Sequence, residues 1–216
     1  LAAADYTGDG RLDLFIGGSF TPGQYPEDAR SRLYTNDEGT LQIDRQNSGV
    51  LRALGLVTSA VFVDYDGDGD QDLLCGRAWD SLVLLENREG RFVDVSEEVG
   101  LAGKKGWWNG VATGDFNNDG RPDLVATNWG TNSRYQLEAG RPLKMFYDDY
   151  GGDRTVEVVE SHYDAGVGGY VPYKRLFSFY EPLSSVRKRV DSHADFASST
   201  VPELTGRPSS ALTAKE

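Results

Sequence analysis

A single cysteine, Cys75, leaves this 216-residue chain with no internal disulfide, no cysteine-built zinc site and no CxxC redox pair. Long hydrophobic runs are equally scarce. Leu82 to Leu85 is typical, far short of the roughly 18 to 20 residues that cross a bilayer as a helix, so no transmembrane segment is expected. Positive charge is in deficit, with 22 Lys and Arg against 34 Asp and Glu, and the net of −12 repels phosphate backbones and anionic headgroups. Nucleic acid and membrane surfaces are therefore poor partners. Hydrophobic residues make up only 38%, which spreads the core thin over a length that allows one large domain or two small ones. An initiator Met and a signal sequence are also missing at Leu1, and the chain is expected to be a processed or truncated piece of a longer protein.

What is present is an internal repeat. Asp5-Tyr-Thr-Gly-Asp-Gly-Arg-Leu-Asp-Leu14, Asp64-Tyr-Asp-Gly-Asp-Gly-Asp-Gln-Asp-Leu73 and Asp115-Phe-Asn-Asn-Asp-Gly-Arg-Pro-Asp-Leu124 superimpose, starting 59 and 51 residues apart. Each has an aromatic second, Gly sixth, Asp ninth and Leu tenth. A fourth, decayed copy is read at Asp149-Tyr-Gly-Gly-Asp153-Arg-Thr-Val-Glu157, with Arg154 at the sixth position and Glu157 at the ninth. Strand periodicity surrounds the motifs: Ala60 to Val63, Leu73 to Cys75, Ser81 to Leu85 and Arg91 to Val95 about the second, and Leu12 to Ile16, Arg32 to Thr35 and Thr40 to Ile43 after the first. Four short strands per 50 to 60 residues predict blades of a β-propeller and an all-β fold.

The expected organisation is a first blade over 1–56 and a second over 57–105, then a third over 106–170 that includes the hairpin of the degenerate fourth loop. A helical segment over 171–206 and a disordered tail over 207–216 complete it. Pro142 to Tyr147 and Thr155 to Glu160 are read as that hairpin. Leu176, Phe179, Tyr180, Leu183, Val186 and Val190 carry helical spacing, with Pro182 predicting a kink or a late start. Ser198 to Glu216, rich in Ser, Thr and Pro, reads as mostly unstructured. Three or four blades do not close a larger ring, so the sequence predicts an open arc with exposed edges that invite association.

The spacing Asp-x-Asp/Asn-x-Asp-Gly turns side-chain oxygens at positions one, three and five into one tight loop, and Gly at six supplies the backbone freedom for the bend. These are hard ligands suited to calcium. Candidate side-chain ligands are Asp5, Thr7, Asp9 and Asp13 in loop one, Asp64, Asp66, Asp68 and Asp72 in loop two, and Asp115, Asn117, Asp119 and Asp123 in loop three. Arg11, Asp70 and Arg121 at the seventh position offer backbone carbonyls. In loop two the four acids are expected to converge, with severe repulsion unless a divalent cation neutralises them. Three calcium ions would halve the formal net charge of −12. An EF-hand begins alike but needs Glu at the twelfth position and flanking helices, whereas Ile16, Cys75 and Ala126 stand there. A plain acidic hairpin turn is the competing reading, since Asp-Gly is also a strong turn former.

With their strands, these loops resemble the FG-GAP or VCBS repeats of integrin-α-type β-propellers. Gly106-Trp-Trp-Asn-Gly-Val-Ala-Thr-Gly-Asp-Phe-Asn-Asn-Asp-Gly120 and Asn128-Trp-Gly-Thr-Asn132 further resemble the bacterial branch related to the cartilage acidic protein family. The resemblance covers roughly 1–130 closely and continues more weakly through the fourth loop and Arg175 to Gly206. It implies a propeller, usually of seven blades, completed by further blades of a longer parent chain. It also implies two to three calcium ions in hairpin loops and an extracytoplasmic location. Thr7 and Asn117 replace acids at the third position, and loop four lacks both the third-position oxygen and the Gly, so loop two is expected to bind most tightly and loop four weakly or not at all.

Three functions follow as expectations. The first is a non-enzymatic, calcium-binding adhesion scaffold for a protein or glycan partner. A lectin-like module is the second, with Trp107, Trp108, Trp129 and Tyr135 as stacking faces against the alternative of packing between sheets. The third is the propeller domain of a secreted hydrolase or lyase. For that role only His162 and His193 supply the usual neutral-pH base, both outside the clear repeats, and Cys75 reads as a buried small hydrophobe. Arg187, Lys188 and Arg189 form the one basic cluster and read as a solvated face. No phosphate-binding loop is present.

Overall fold

The structure is a computed structural model that describes residues 1–130, 133–136, 138–179, 183, 186 and 188–216. It is all-β with short helical pieces, built of antiparallel four-stranded sheets consistent with a partial propeller. The chain divides into two units, Leu1–Phe20 with Glu27–Gly130, and Thr21–Pro26 with Thr131–Glu216. No helix among the described residues is long and apolar enough to cross a membrane.

In the first unit β1 (Ala2–Ala4), β2 (Asp13–Ile16), β3 (Arg32–Asp37) and β4 (Thr40–Ile43) form a sheet in sequence order. A one-turn helix, α1 (Ser48–Leu51), leads to β5 (Val57–Val63), β6 (Asp72–Asp80), β7 (Val83–Arg88) and β8 (Arg91–Asp94), again antiparallel and in order. Two hairpins share one turn. Glu38-Gly39 and Glu89-Gly90 both take positive φ at both central positions, the type I′ geometry that matches strand twist.

Tyr6, Phe15 and Leu33 from the first sheet meet Leu73, Cys75, Val83, Leu85 and Phe92 from the second in one core. Leu74, Leu84 and Val95 face the other way and pack with Val61 and Val111. Burial on both faces is why β6 and β7 read as near-continuous apolar runs rather than alternating ones.

Blade three differs from the expected 106–170. The hairpin of β9 (Gly106–Gly114) and β10 (Asp123–Asn128) joins the second sheet at a corner, where Ala78 pairs Trp107 and Asp80 pairs Gly106 around a bulge at Trp79. The remaining strands of that range belong to the second unit.

There β11 (Lys144–Asp148) pairs β12 (Glu157–Asp164), the hairpin the sequence predicts, and β13 (Gly169–Pro172) extends it. The fourth strand is β14 (Thr213–Lys215), which pairs β11 antiparallel through Met145, Phe146 and Tyr147. The expected disordered tail over 207–216 is thus corrected. Its Leu212 and Ala214 pack on the core of this unit, and the free edge of β11 supplies the hydrogen bonds, neither of which local composition reveals. Ser198 to Gly206 is also ordered: α3 (Val201–Thr205) starts where the Glu203 carboxylate accepts from the Thr200 N–H and hydroxyl, and stops at left-handed Gly206.

Among the described residues of Arg175 to Val190, the helical spacing gives the burial it predicts. Leu176–Phe179 is a 3-10 turn, and Leu176, Phe179, Leu183, Val186 and Val190 are all buried with Phe196 from α2 (His193–Ala197). Bonds from Val186 to Leu183 and from Arg189 to Val186 span three residues, while those from Leu183 to Phe179 and from Val190 to Val186 span four. The kink at Pro182 and the side chains of Tyr180 and Arg187 lie outside the described residues.

Candidate metal centres

Each acidic loop links the two strands of a hairpin, β1 to β2, β5 to β6, β9 to β10 and β11 to β12, and the four fold alike. The first-position carboxylate turns inward onto the loop's own backbone. Asp5 accepts from Asp9 and Gly10 N–H at 3.0 and 2.7 Å, Asp64 from Gly67 and Gly69 at 2.8 and 3.1 Å, and Asp115 from Asp119 and Gly120 at 3.1 and 3.0 Å. The sixth residue takes a left-handed φ of 84°, 98° and 82° at Gly10, Gly69 and Gly120, which explains the glycine there. In loop four Arg154 adopts 70° in its place and still donates its N–H to Asp149 at 2.9 Å.

The ninth-position acid anchors the loop to the strands. Asp13 accepts from Thr7 N–H and from Asn36 N–H at 3.2 and 2.8 Å, and Asp72 from Tyr65 and Asn87 N–H at 3.0 and 2.7 Å. Both carboxylates are buried. Asn36 and Asn87 escaped the sequence reading, although each opens an Asn-x-Glu-Gly turn that repeats between the blades. Their amides reach Leu12 and Gln71 carbonyls, and their side-chain oxygens accept from Gly39 and Gly90 N–H. Asn87 also donates to the Tyr6 carbonyl at 2.8 Å, tying the second blade to the first loop.

The loops part company in how their charge is answered. In loop one the Thr7 hydroxyl donates to Asp13 at 3.0 Å, and the Arg11 guanidinium pairs with Asp9 at 2.7 Å, a counter-ion role beyond the backbone carbonyl expected of Arg11. In loop three the Asn117 amide donates to Asp119 at 3.1 Å, and Arg121 gives its N–H to the other Asp119 oxygen at 2.9 Å. Loop two has an acid, Asp66, at that third position. Oxygens of Asp64, Asp66 and Asp72 come within 4.8 Å of one another with no cationic side chain paired to them among the described residues. Asp68 is not in this group, a correction to the expected four. Its carboxylate is turned onto the Asp70 N–H at 2.8 Å, while Asp70 itself accepts from Glu89 N–H at 3.2 Å.

Burial pushes the Asp72 carboxyl up to about 6; the N–H groups of Asn87 and Tyr65 pull it down, and Asp66 and Asp68 raise it further. Burial, and then the charges of Glu86, Asp66 and Asp72, lift the Tyr65 hydroxyl to about 12. The donor set is entirely oxygen, as calcium requires, and carries an uncompensated buried negative charge.

Loop four gathers a second group, Asp149, Asp153 and Glu157, within the same 4.8 Å. The sequence reading ranked it last. Glu157 is long enough to do what Asp does at the ninth position, accepting from Tyr150 and Gly151 N–H at 2.7 and 3.2 Å. Its carboxyl is raised by burial, whereas Asp149 is lowered by the N–H donors of Arg154, Gly152 and Asp153. Arg207 pairs with Asp148 and donates to the Asp149 carbonyl at 3.1 Å.

The other candidates fall as follows. Trp107 and Trp129 stack at 4.4 Å and 13°, and Trp79, not singled out in the sequence, tilts on Trp107 at 5.2 Å. Trp129 is 47% exposed, while its turn partners Thr131 and Asn132 lie outside the described residues. Trp108 donates to the Lys104 carbonyl at 3.1 Å. Tyr135 belongs instead to the second unit, donating to Glu160 at 2.7 Å. His193 opens α2, its ring in an edge-to-face contact with Phe177. Cys75 is buried, and burial pushes its thiol up to about 12. Lys188 and Arg189 are exposed, with the Arg189 guanidinium lying over Gly206.

The FG-GAP-like repeat model matches residues 5–75 and 64–126. Cartilage acidic protein 1 of Homo sapiens is 27% identical over 161 residues, covering 69% of this chain and 23% of that protein. The Mus musculus protein of the same name is 26% identical over 161 residues, covering 69% and 24%, and that of Xenopus tropicalis 32% over 79 residues, covering 36% and 12%. The chain thus spans at most about a quarter of the length of these relatives.

Proposed function

Because the chain belongs to the FG-GAP-like repeat family, we propose that it is a calcium-stabilised, non-enzymatic module that presents loops to a protein or glycan partner outside the cytoplasm. Further blades of a longer parent chain would complete its propeller. The observation that carries this reading is the meeting of Asp64, Asp66 and Asp72 around the buried Asp72 carboxylate. Those three would hold one ion, and Asp149, Asp153 and Glu157 a second. Loops one and three, whose acids already meet Thr7, Arg11 or Asn117, would bind more weakly. Bound calcium would supply the positive charge that loop two lacks and stiffen the hairpin from which neighbouring loops project.

Millimolar calcium outside cells would fill even sites as weak as about 10⁻⁴ to 10⁻³ M, which suits an extracytoplasmic setting. The relatives are named for cartilage, a tissue made largely of extracellular matrix, which supports the same placement. The absence of catalytic duty is supported by the burial of Cys75 and by the edge-to-face contact of His193 with Phe177.

Native mass spectrometry with a thermal melt tests the proposal, first in chelator and then with calcium added stepwise to a few millimolar. Two or more bound ions and a raised melting temperature are expected. No uptake and no shift would reduce the loops to turns and remove the calcium reading.

A further inference from the structure

The second unit holds a cleft of about 260 Å³ that lies apart from every acidic loop. It forms where β12 runs on past the first residue of β11: Lys144 pairs Ser161, and the next two strand residues, His162 and Tyr163, line it with Arg134, Gln136, Glu138 and Arg141. Its walls are planar polar groups set against aromatic rings. Arg134 donates to Glu160 at 2.8 Å, with its guanidinium 4.9 Å from the Tyr135 ring centre. Arg141 donates to Glu138 at 3.1 Å and lies 4.2 Å over Tyr163. The His162 ring leans on Tyr173 at 4.5 Å.

Two features narrow what such a cleft takes. Each guanidinium already has its own carboxylate, so the fixed charges cancel in pairs: an anion would compete with Glu138 and Glu160, and a cation with Arg134 and Arg141. The favoured ligand is therefore uncharged and rich in groups that both donate and accept. Second, Nδ1 of His162 is buried and has no hydrogen-bond partner. A buried ring nitrogen left unanswered is costly, and such atoms call for a partner from outside the chain. The volume is below the roughly 300 Å³ at which ordinary small-molecule pockets begin, which leaves room for a single ring.

We propose that this cleft binds one neutral sugar ring, such as the terminal hexose of a glycan, through the Arg134 and Arg141 guanidiniums and, once the ring turns to expose it, His162 Nδ1 to its hydroxyls, and through the flanking tyrosine rings to its C–H face. Vicinal hydroxyls match the forked edges of Arg, Glu and Gln136, and aromatic rings pack on the apolar side of a pyranose. The inference gives the scaffold reading a partner class and rests on that reading for its biological sense, but none of the lining residues belongs to a proposed calcium site, so the two can fail separately.

The test is saturation-transfer NMR and calorimetry on the full chain with D-galactose, D-glucose, D-mannose and N-acetyl-D-glucosamine, in calcium and in chelator. D-glucuronate and inorganic phosphate serve as anionic arms. One hexose at least should bind saturably at millimolar strength. His162→Phe, which keeps a ring against Tyr173 and removes the unanswered nitrogen, and Arg141→Met should each weaken it about tenfold, the first with a melting temperature equal to or above that of the native chain. Saturation only by glucuronate or phosphate would overturn the proposal in favour of an anion site. Hexose binding that survives both variants would place it elsewhere, on Trp129 for instance, and no hexose binding to a chain shown folded by its melt would remove it. Hexose binding that persists in chelator, in a protein that takes up no calcium, would leave this inference standing while the calcium reading fell.

Discussion

Asp66→Asn puts the logic of loop two under the sharpest strain, because it installs the residue that loop three carries at the same position. In the metal-free protein the Asp72 carboxyl sits at about 6, some two units above its ordinary value, and each unit is worth about 1.4 kcal/mol. A raised acid means that the folded form holds its proton more tightly than the unfolded one. The contribution is therefore most favourable below about pH 4 and is lost as pH climbs through 4 to 6, roughly 3 kcal/mol in all. Burial causes most of that and is untouched by the substitution; the share owed to Asp66 disappears. The new side-chain oxygen keeps the bond from Asp68 N–H, and its amide can donate to a neighbouring carboxylate as Asn117 does to Asp119. We expect the variant to gain about 1 kcal/mol in chelator at pH 7, a rise of about 2–4 °C in Tm for a chain of this size, and to lose less stability between pH 4 and 6. In calcium the order should invert, since the native loop gains about 2.7 kcal/mol at a hundredfold excess over its Kd and the variant gains less. Melts in the two buffers across pH give the answer. A variant that is less stable than the native protein in chelator, yet shifts as far with calcium, would refute the reasoning.

Asn87→Ala removes buried bonds to the Tyr6 and Gln71 carbonyls and from Gly90 N–H, and denaturant melts should show a loss of about 2–4 kcal/mol. Because Asn87 braces the strand that feeds its N–H to Asp72, the calcium midpoint should weaken as well, a change that calorimetry reads directly. Gly18→Ala would bring a Cβ to 2.0 Å from the Ala29 carbonyl oxygen, with no flexible side chain to move, so a cost of about 3 kcal/mol is expected, measured as a lowered midpoint in urea. Cys75, buried with its thiol pushed up to about 12, should ignore a thiol-reactive dye at pH 8 in the native protein and react fully once unfolded.

The repeat was fully legible because its cause is local. Asp at one, Gly at six and Asp at nine are each demanded by a bond or a dihedral within ten residues, so the spacing names the loop before any contact is known. Loop four shows the limit of that reasoning. Arg154 in place of Gly suggested decay, yet the bonds to Asp149 hold the turn, and Glu157 reaches where Asp would. Its dihedral cost is met by contacts that sequence spacing does not list.

By itself, the sequence determined the strands of the first two blades, the acidic loops and the lack of an apolar run long enough for a membrane-crossing helix, since periodicity, turn chemistry and composition act over short distances. Only the tertiary structure decided which acids meet. Asp66 and Asp68 each accept from the N–H two residues on, yet only Asp66 meets Asp64 and Asp72, a difference of place in the folded loop rather than of residue type. Only it showed that β14 completes a sheet with a strand nearly seventy residues earlier, or that His162 is left with a buried nitrogen. Such pairings depend on which edges and faces are available once the rest of the chain has packed, and that information resides in contacts distant in sequence.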